Sequence, residues 1–295
     1  MASTKEIRRR IKSIKNTGQI TKALQMVSAT KMRRAQSQAT LARPYRDTLS
    51  LVVTLSSGKI DPSLHPLLSP GLSDKMGVVL LSTDKGMCGS LNANIFRMIQ
   101  NEKILAEARK TDEWEFYTVG RKGREFIART GRKLAADFES TEKVSFTEAA
   151  KVRKFIVNAF LHGEVGTVYL AYADFVSTLR QEARLVKLLP VDPVVLHEAL
   201  AQHEATDDMA SEFLFEPNLD TVLDFALVHL IDTQIYQAML EMKASEHSAR
   251  MIAMQNATNN AKDLVSDLTL TYNQMRQDAI TRELLEIASA AAALE

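Results

Sequence analysis

Residues 218–295 read NLDTVLDFALVHLIDTQIYQAMLEMKASEHSARMIAMQNATNNAKDLVSDLTLTYNQMRQDAITRELLEIASAAAALE, 78 residues without a glycine or a proline. As one helix this stretch would extend about 115 Å at ~1.5 Å per residue. An unbroken periodic pattern of that length is a coiled coil, a membrane span or a helical repeat. Its polarity excludes the span, and no segment of it recurs. Met251, Met254, Thr258, Ala261, Val265, Leu268, Tyr272, Met275 and Ala279 step by alternating threes and fours, the a/d seam of a heptad. Leu219, Leu223, Ala226 and Leu230 step the same way upstream. Pro217 suits a first helical position, and Asp220 and Asp224 suit the positive end of the helix dipole.

The N-terminal segment offers a partner for this helix. Ser3 and Glu6 form a capping-box pattern ahead of Ile7. The apolar series Ile7, Ile11, Ile14 runs on through Gly18 and Thr21, then slips to Leu24, and Leu41, Tyr45, Thr48, Val52 and Leu55 resume the step. Gly58 is placed to end the helix. Gly18 costs about 1 kcal/mol against Ala, and Pro44 is expected to bend the helix or loosen a turn.

Between the two helices the period changes. Val78–Leu81, Trp114–Val119, Val165–Tyr172 and Leu185–Leu189 read as strands, with helices from about Asn92, after Gly120, and over Phe146–Leu161. Alternation of this kind predicts an α/β domain with a mainly parallel sheet. Asp61–Asp74 would link shaft and domain, and residues 191–216 would form a partly helical return. The expected organisation is an N-terminal coiled-coil helix over 1–58, a Rossmann-like α/β domain over 75–195 and a C-terminal coiled-coil helix over 212–295. The fold class is therefore α/β plus a long antiparallel two-helix coiled coil formed by the terminal helices. The C-terminal helix is longer than its partner by roughly 20 residues, about 30 Å. Its last turns, Ile287 to Leu294, are apolar around much of the circumference and call for surrounding protein.

Lys and Arg number 37 against 36 Asp and Glu. The balance is uneven, because residues up to 46 carry twelve Lys or Arg and only Glu6 in opposition. Such a basic arm implies acidic partners. No aromatic precedes Tyr45, which disfavours single-stranded nucleic acid, where basic residues alternate with stacking platforms. Cys88 is the only cysteine, so an internal disulfide is excluded and a reducing compartment is the natural reading. No apolar run reaches the roughly 20 residues that span a bilayer.

The stretch Leu80 to Asn92, LLSTDKGMCGSLN, sits where α/β folds place ligand loops. It lacks GxGxxG and the Lys-Ser/Thr ending of a phosphate loop, so a turn presenting Lys85 and Cys88 to a protein partner is the better reading. Cys88 has no accompanying His or Asp arrangement and reads as a structural thiol. His197, Glu198, His203 and Glu204 do not share one helical face and read as solvated charges. Ser245-Glu246-His247 resembles a triad only by its letters, since adjacent helix positions point in different directions.

Two blocks make the sequence recognisable: IRRRIKSIKNTGQITKALQMVSATKMR from Ile7 to Arg33, and ASEHSARMIAMQNATNNA from Ala244 to Ala261, followed by LTLTYNQMRQDAITREL from Leu268 to Leu284. Together they resemble the two terminal signatures of the F-type ATP synthase gamma subunit, the central stalk, and the loop Ser82–Asn92 resembles that family's middle domain, as do Tyr172–Phe175 and Leu188–Pro190. The resemblance covers nearly the whole chain. It implies a rotor subunit, one copy per complex, turning inside a hexamer of alpha and beta subunits beside an epsilon subunit and on a membrane c-ring. It implies no active site, cofactor or metal on this chain, with ATP or ADP and Mg held by partner subunits. Carried over by position, Lys85, Gly86, Met87, Cys88, Arg250, Arg276, Gln277, Thr281 and Glu283 would touch the catalytic subunits. Phe213, Leu214, Phe215 and Glu216 would meet the membrane ring. The location implied is peripheral, on the cytoplasmic face of a bacterial cell membrane. The chain has Ser289-Ala290 where the family often has Gly, and it lacks the regulatory cysteine pair of chloroplast relatives. Two rival readings are a static coiled-coil adaptor that dimerises by itself and an α/β enzyme that binds a nucleotide.

Overall fold

Five strands alternate with helices between two long terminal helices. The structure, a computed structural model, describes residues 4–57, 65–101, 114–192 and 215–292. In chain order the elements are α1 (Thr4–Ser57), β1 (Met76–Leu81), α2 (Leu91–Asn101), β2 (Trp114–Val119), α3 (Arg121–Thr130), β3 (Lys133–Phe138), α4 (Phe146–Leu161), β4 (Thr167–Phe175), β5 (Gln181–Leu189) and α5 (Leu219–Ala292). Contacts cluster into two compact units. One comprises the described parts of Met1–Ala29 and Arg250–Glu295, the other those of Thr30–Ala249. This division cuts through both long helices, whereas the sequence divides the chain at their ends.

In the larger unit the strand order is β3-β2-β1-β4-β5, parallel except for β5, which runs antiparallel to β4. Val78, Val79, Leu80 and Phe116 are fully buried, with Ile95, Ile99, Ile127 and Ile156 packed from the helices. Central strands covered on both faces read as continuous apolar runs, which is why β1 and β2 show in the sequence. The edge strand β3 was not foreseen, because it is mostly exposed and its sequence KLAADF carries little apolar signal. β4 and β5 extend beyond their expected limits, through Phe175 and from Gln181, where charged residues flank the hairpin turn. α4 begins with a complete capping box, Ser145 with Glu148.

α1 runs without interruption through Pro44. Its seam differs from the expected one. Ile7, Ile11, Ile14, Gly18, Thr21, Gln25, Ser28, Met32, Ala35, Ala39, Ala42, Arg46, Leu49, Val53 and Ser56 are all buried or half-buried, and they step by alternating fours and threes throughout. The step does not slip but continues through Gln25, with Leu24 half-buried beside it. Leu41 and Tyr45, expected in the seam, are 77% and 53% exposed. The apolar letters misled because many seam positions are small or polar.

Within the smaller unit α1 and α5 run antiparallel. The Thr21 and Thr258 hydroxyls share a hydrogen bond of 2.7 Å, and Gln25 Nε2 donates to Gln255 Oε1. A Cβ on Gly18 would stand 3.4 Å from the Cβ of Ala261. Each pair of numbers adds to 279 or 280, so Thr4 falls opposite Met275 or Arg276. The α5 exposure agrees: between Asn259 and Met275 only the seam residues Ala261, Val265, Leu268, Tyr272 and Met275 are not exposed. From Arg276 to Ser289 every residue is exposed, including Ala279, the last expected seam position.

Within the larger unit the pair is antiparallel as well, since Gln237 Nε2 donates to the Ala39 carbonyl at 3.3 Å and Tyr45 meets His229 edge to face. α5 opens at Leu219 with Asn218 as its cap, whose Oδ1 accepts from Thr221 N at 2.8 Å. Pro217 therefore precedes the helix instead of occupying its first position, which corrects the sequence reading. The Ser3 cap and the Gly58 stop, like residues 193–214, lie outside the described residues.

Gly18 has room for a methyl group, so Gly18→Ala is expected to stabilise the helix pair by roughly 0.5–1 kcal/mol, whereas Gly18→Leu should destabilise it. Thermal melts followed by helical circular dichroism check both signs.

Candidate functional site

The loop after β1 is built around Thr83. Thr83 is fully buried, and its Oγ1 donates to the Lys85 carbonyl at 2.8 Å and accepts from Asn92 Nδ2 at 2.8 Å. Asn92 Oδ1 accepts from Thr83 N at 3.2 Å, and its Nδ2 also lies 3.5 Å from Cys88 Sγ. Asn92 thus closes both ends of the loop on one side chain. Met87 is held at φ 61° and is 58% exposed. A non-glycine residue at positive φ carries strain that the surroundings must impose. Cys88 is 3% exposed, in keeping with a structural thiol.

In an α/β sheet a ligand sits beyond the carboxyl ends of the strands where the chain order reverses. That place is at β1, which has β2 on one side and β4 on the other. Here the protein occupies it. Asp84 Oδ1 accepts from Arg121 N at 2.9 Å and the Thr83 carbonyl accepts from Lys122 N at 3.0 Å, so the N-terminus of α3 already has its anion. Ser82 Oγ donates to the Val119 and Gly120 carbonyls and accepts from Gly123 N at 2.7 Å. Met239, Met242 and Lys243 of α5 close over Leu81, Ser82 and Val119, leaving a cavity of about 20 Å³. That holds about one water, against the ~300 Å³ or more of a small-ligand site.

α5 is gripped along this stretch by polar contacts on several sides. Ser245 Oγ donates to the Ala173 carbonyl at 3.0 Å, and Ser248 Oγ to the Thr178 carbonyl at 2.6 Å. Arg153 Nε of α4 donates to Asp232 Oδ1 at 2.6 Å, and Gln237 Nε2 donates to the Ala39 carbonyl of α1 as well as to Glu241 Oε1 within α5. Burial, followed by the nearby Glu241 carboxylate, pushes the Tyr172 phenol far above its ordinary range, so it stays protonated beside Glu241. Ser245, Glu246 and His247 are separately engaged; Glu246 pairs with Lys243 at 3.3 Å. The cluster His197 to Glu204 lies outside the described residues. Among the described residues no group of three or more His, Cys, Asp or Glu is arranged to hold a metal.

The residues singled out in the sequence occupy different settings. Lys85, Gly86 and Met87 form the exposed crest of the loop, and Cys88 lies beneath it. Arg276, Gln277, Thr281 and Glu283 are all exposed on α5 beyond the point where α1 begins. Arg250 is only 9% exposed. Arg276 and Glu283 are two helical turns apart and share one side, while Gln277 and Thr281, about one turn apart, share another. Ile280, Leu284, Leu285 and Ile287 are between 49% and 67% exposed on the same segment. Ser289 Oγ turns back to the Leu285 carbonyl at 2.5 Å. Phe215 is half-buried and Glu216 exposed, while Phe213 and Leu214 lie outside the described residues. Sequence reasoning missed Asp84 and Asn92. Their signal was an Asx residue three positions after a strand and another at the start of the next helix.

A family model described as ATP synthase matches residues 3–294. The ATP synthase gamma chain of Roseiflexus sp. is 43% identical over 297 residues, covering 100% of this chain and 99% of the relative. That of Opitutus terrae is 40% identical, covering 98% of each. The chain belongs to the ATP synthase gamma chain family. Its fold resembles a chain in the Euglena gracilis mitochondrial ATP synthase, OSCP/F1/c-ring, in rotational state 3, with a TM-score of 0.71 at 22% identity over 99% of this chain and 94% of that one. A rotor chain of the same complex in rotational state 1 gives 0.65 at 20% identity, over 94% and 98% respectively. As a gamma chain it is a subunit of the ATP synthase complex.

The loop and the sheet edge of this gamma chain depend on Gly120, at φ 97°, where a Cβ would stand 2.4 Å from the Ser82 carbonyl oxygen. Gly120→Ala is expected to cost about 2 kcal/mol or more, read as a lower urea midpoint for the α/β domain.

Proposed function

We propose that this gamma chain is the rotating central stalk of a proton-translocating ATP synthase. It couples proton flow through a membrane c-ring to conformational change at nucleotide sites on the alpha and beta subunits, and it has no active site of its own. The observation that carries this reading is the exposed apolar end of α5. Past Met275 the helix has no α1 beside it, yet it displays Ile280, Leu284, Leu285 and Ile287 to solvent. An isolated helix end with such a surface is unstable in water and calls for a sleeve of other chains. A ring of alternating subunits around a single shaft supplies one.

The same geometry explains how a shaft can act. Arg276, Gln277, Thr281 and Glu283 present different groups to different sides, so each catalytic subunit meets a different face as the shaft turns. Contacts that differ among conformers shift their populations. The α1 outer face adds Arg8, Arg9, Lys12, Lys15 and Lys22, all exposed, as donors to acidic loops. Lys85–Cys88 would bear on a mobile segment of a catalytic subunit, and Phe213–Glu216 on the membrane ring, beside the epsilon subunit. The filled crevice at β1 supports assigning ATP, ADP and Mg to the partner subunits. Among the described residues no helix is long and apolar enough to cross a membrane. This fits a peripheral position on the cytoplasmic face of a bacterial membrane.

Mixing the chain with alpha and beta subunits should yield one copy per hexamer and an altered ATPase rate. Failure to associate, or a stable dimer of this chain alone, would contradict the reading. Within the assembled complex, replacing both Arg250 and Arg276 by Gln should lower proton transport per ATP hydrolysed severalfold. Unchanged coupling would remove both arginines from the mechanism. Because Arg250 is nearly covered, Arg276→Gln alone should account for most of the loss.

A further inference from the structure

At the start of β2 and β3, at the end of the sheet opposite the β1 loop, two neighbouring donors lack an acceptor. The strands run parallel, with Glu115 beside Lys133 and Phe116 beside Leu134. One step earlier in each strand, Trp114 opens β2 and Arg132 leads into β3 after Gly131, held at φ 68°, has ended α3. The register therefore sets Trp114 and Arg132 side by side. Alternation puts Trp114 on the same face as Phe116, and their rings stack with centroids 6.1 Å apart. The Arg132 guanidinium lies over that same Phe116 ring, with Cζ 5.5 Å from its centroid. Indole and guanidinium thus both lie against one aromatic ring.

Trp114 is 4% exposed, yet its Nε1–H donates to nothing, and Arg132 Nη1 is likewise buried without an acceptor. Buried donors left this way are uncommon, and a buried guanidinium without a counter-ion is costly. The neighbouring carboxylates are already engaged: Glu115, on the opposite face, pairs with Lys133, and Asp137 pairs with Arg124 at 2.9 Å. Burial pulls the Arg132 guanidinium below its ordinary range, and no carboxylate among the described residues opposes the shift. The group nevertheless stays charged. The Phe116 ring offsets part of the cost. A neutral acceptor would satisfy the two N–H groups but not the charge, whereas an oxyanion satisfies both. Access comes from the edge of the sheet, because Arg132 as a whole is half-buried and β3 beside it is mostly exposed.

We propose that Arg132 and Trp114 form a binding site for a small oxyanion, a phosphate or carboxylate group that accepts from Arg132 Nη1 and from the Trp114 indole N–H. The site goes beyond the rotor reading. It belongs to the α/β domain alone and is separate from the residues that would meet the catalytic subunits.

Trp114 supplies the readout, because it is the only tryptophan in the chain. Its emission in the free full-length chain is followed while sodium phosphate or sodium acetate replaces sodium chloride at constant ionic strength, which holds screening fixed. At least one of the two anions should give a saturable change, with half-saturation between about 0.1 and 10 mM. The anion that saturates at the lower concentration identifies the preferred group. At ten times that concentration the thermal midpoint should rise by about 2–4 °C. Arg132→Gln should weaken the response by about tenfold or more, and Arg132→Lys, which keeps the charge on a single point donor, by less. In chloride alone the Arg132→Gln midpoint should equal or exceed that of the parent, since an unpaired buried charge has been removed. No saturable response to either anion would overturn the proposal, as would a response that Arg132→Gln retains in full. A lower midpoint for Arg132→Gln in chloride would overturn it too, because the guanidinium would then already have its partner within the chain. None of these outcomes bears on assembly with the hexamer, and failure to assemble would leave the anion site in place.

Discussion

The fixed register of α1 against α5 is the constraint on which the function depends. It is set less by apolar bulk than by matched small and polar residues: Gly18 against Ala261, Thr21 against Thr258 and Gln25 against Gln255. One threonine hydroxyl donates across the seam while the other donates to its own helix, Thr21 to the Gly18 carbonyl or Thr258 to that of Met254. The bonds that cross the seam form in one alignment and are lost in the others, so they favour this register. Small residues at the same positions let the two backbones approach closely. The register in turn determines that α5 outlasts α1 near Arg276, and therefore which side chains are offered to partners.

A second consequence concerns the α/β domain. Its topology places a ligand crevice at β1, and the chain fills that crevice with its own parts. Asp84 supplies an anion to the α3 N-terminus, Ser82 joins β1 to the turn after β2, and α5 seals the remainder. An architecture familiar from ligand-binding enzymes here serves as a clamp on a helix. The clamp is polar as well as apolar: Ser245, Ser248, Asp232 and Glu241 each have a named partner outside the helix face they occupy. This explains why α5 between Leu230 and Ser248 is buried nearly all round while its sequence stays rich in charge.

Much of this was legible in the sequence, for physical reasons that differ by element. The absence of Gly and Pro after Asn218 announced α5, and the continuous apolar runs announced β1 and β2. The α5 seam was readable because Leu268, Tyr272 and Met275 stand out from polar neighbours. The α1 seam was not, since Gln25, Ser28, Ala35 and Ala39 carry no hydrophobic signal, and exposed Leu41 and Tyr45 carried a false one. β3 escaped notice because an edge strand needs only one buried neighbour. The candidate contact residues on α5 were identified through family resemblance, and their exposure is what the structure adds.

Amide hydrogen exchange over residues 277–289, in the free chain and in the assembled complex, tests the central claim most directly. With no α1 beside it this stretch should exchange rapidly when the chain is alone, while residues 254–272 in the seam stay protected. In the complex its exchange should slow by about tenfold or more as other subunits enclose it. Equal protection of both stretches in the free chain would show that α5 finds a partner where the register allows none. Fast exchange of 277–289 in the complex would show that nothing grips it.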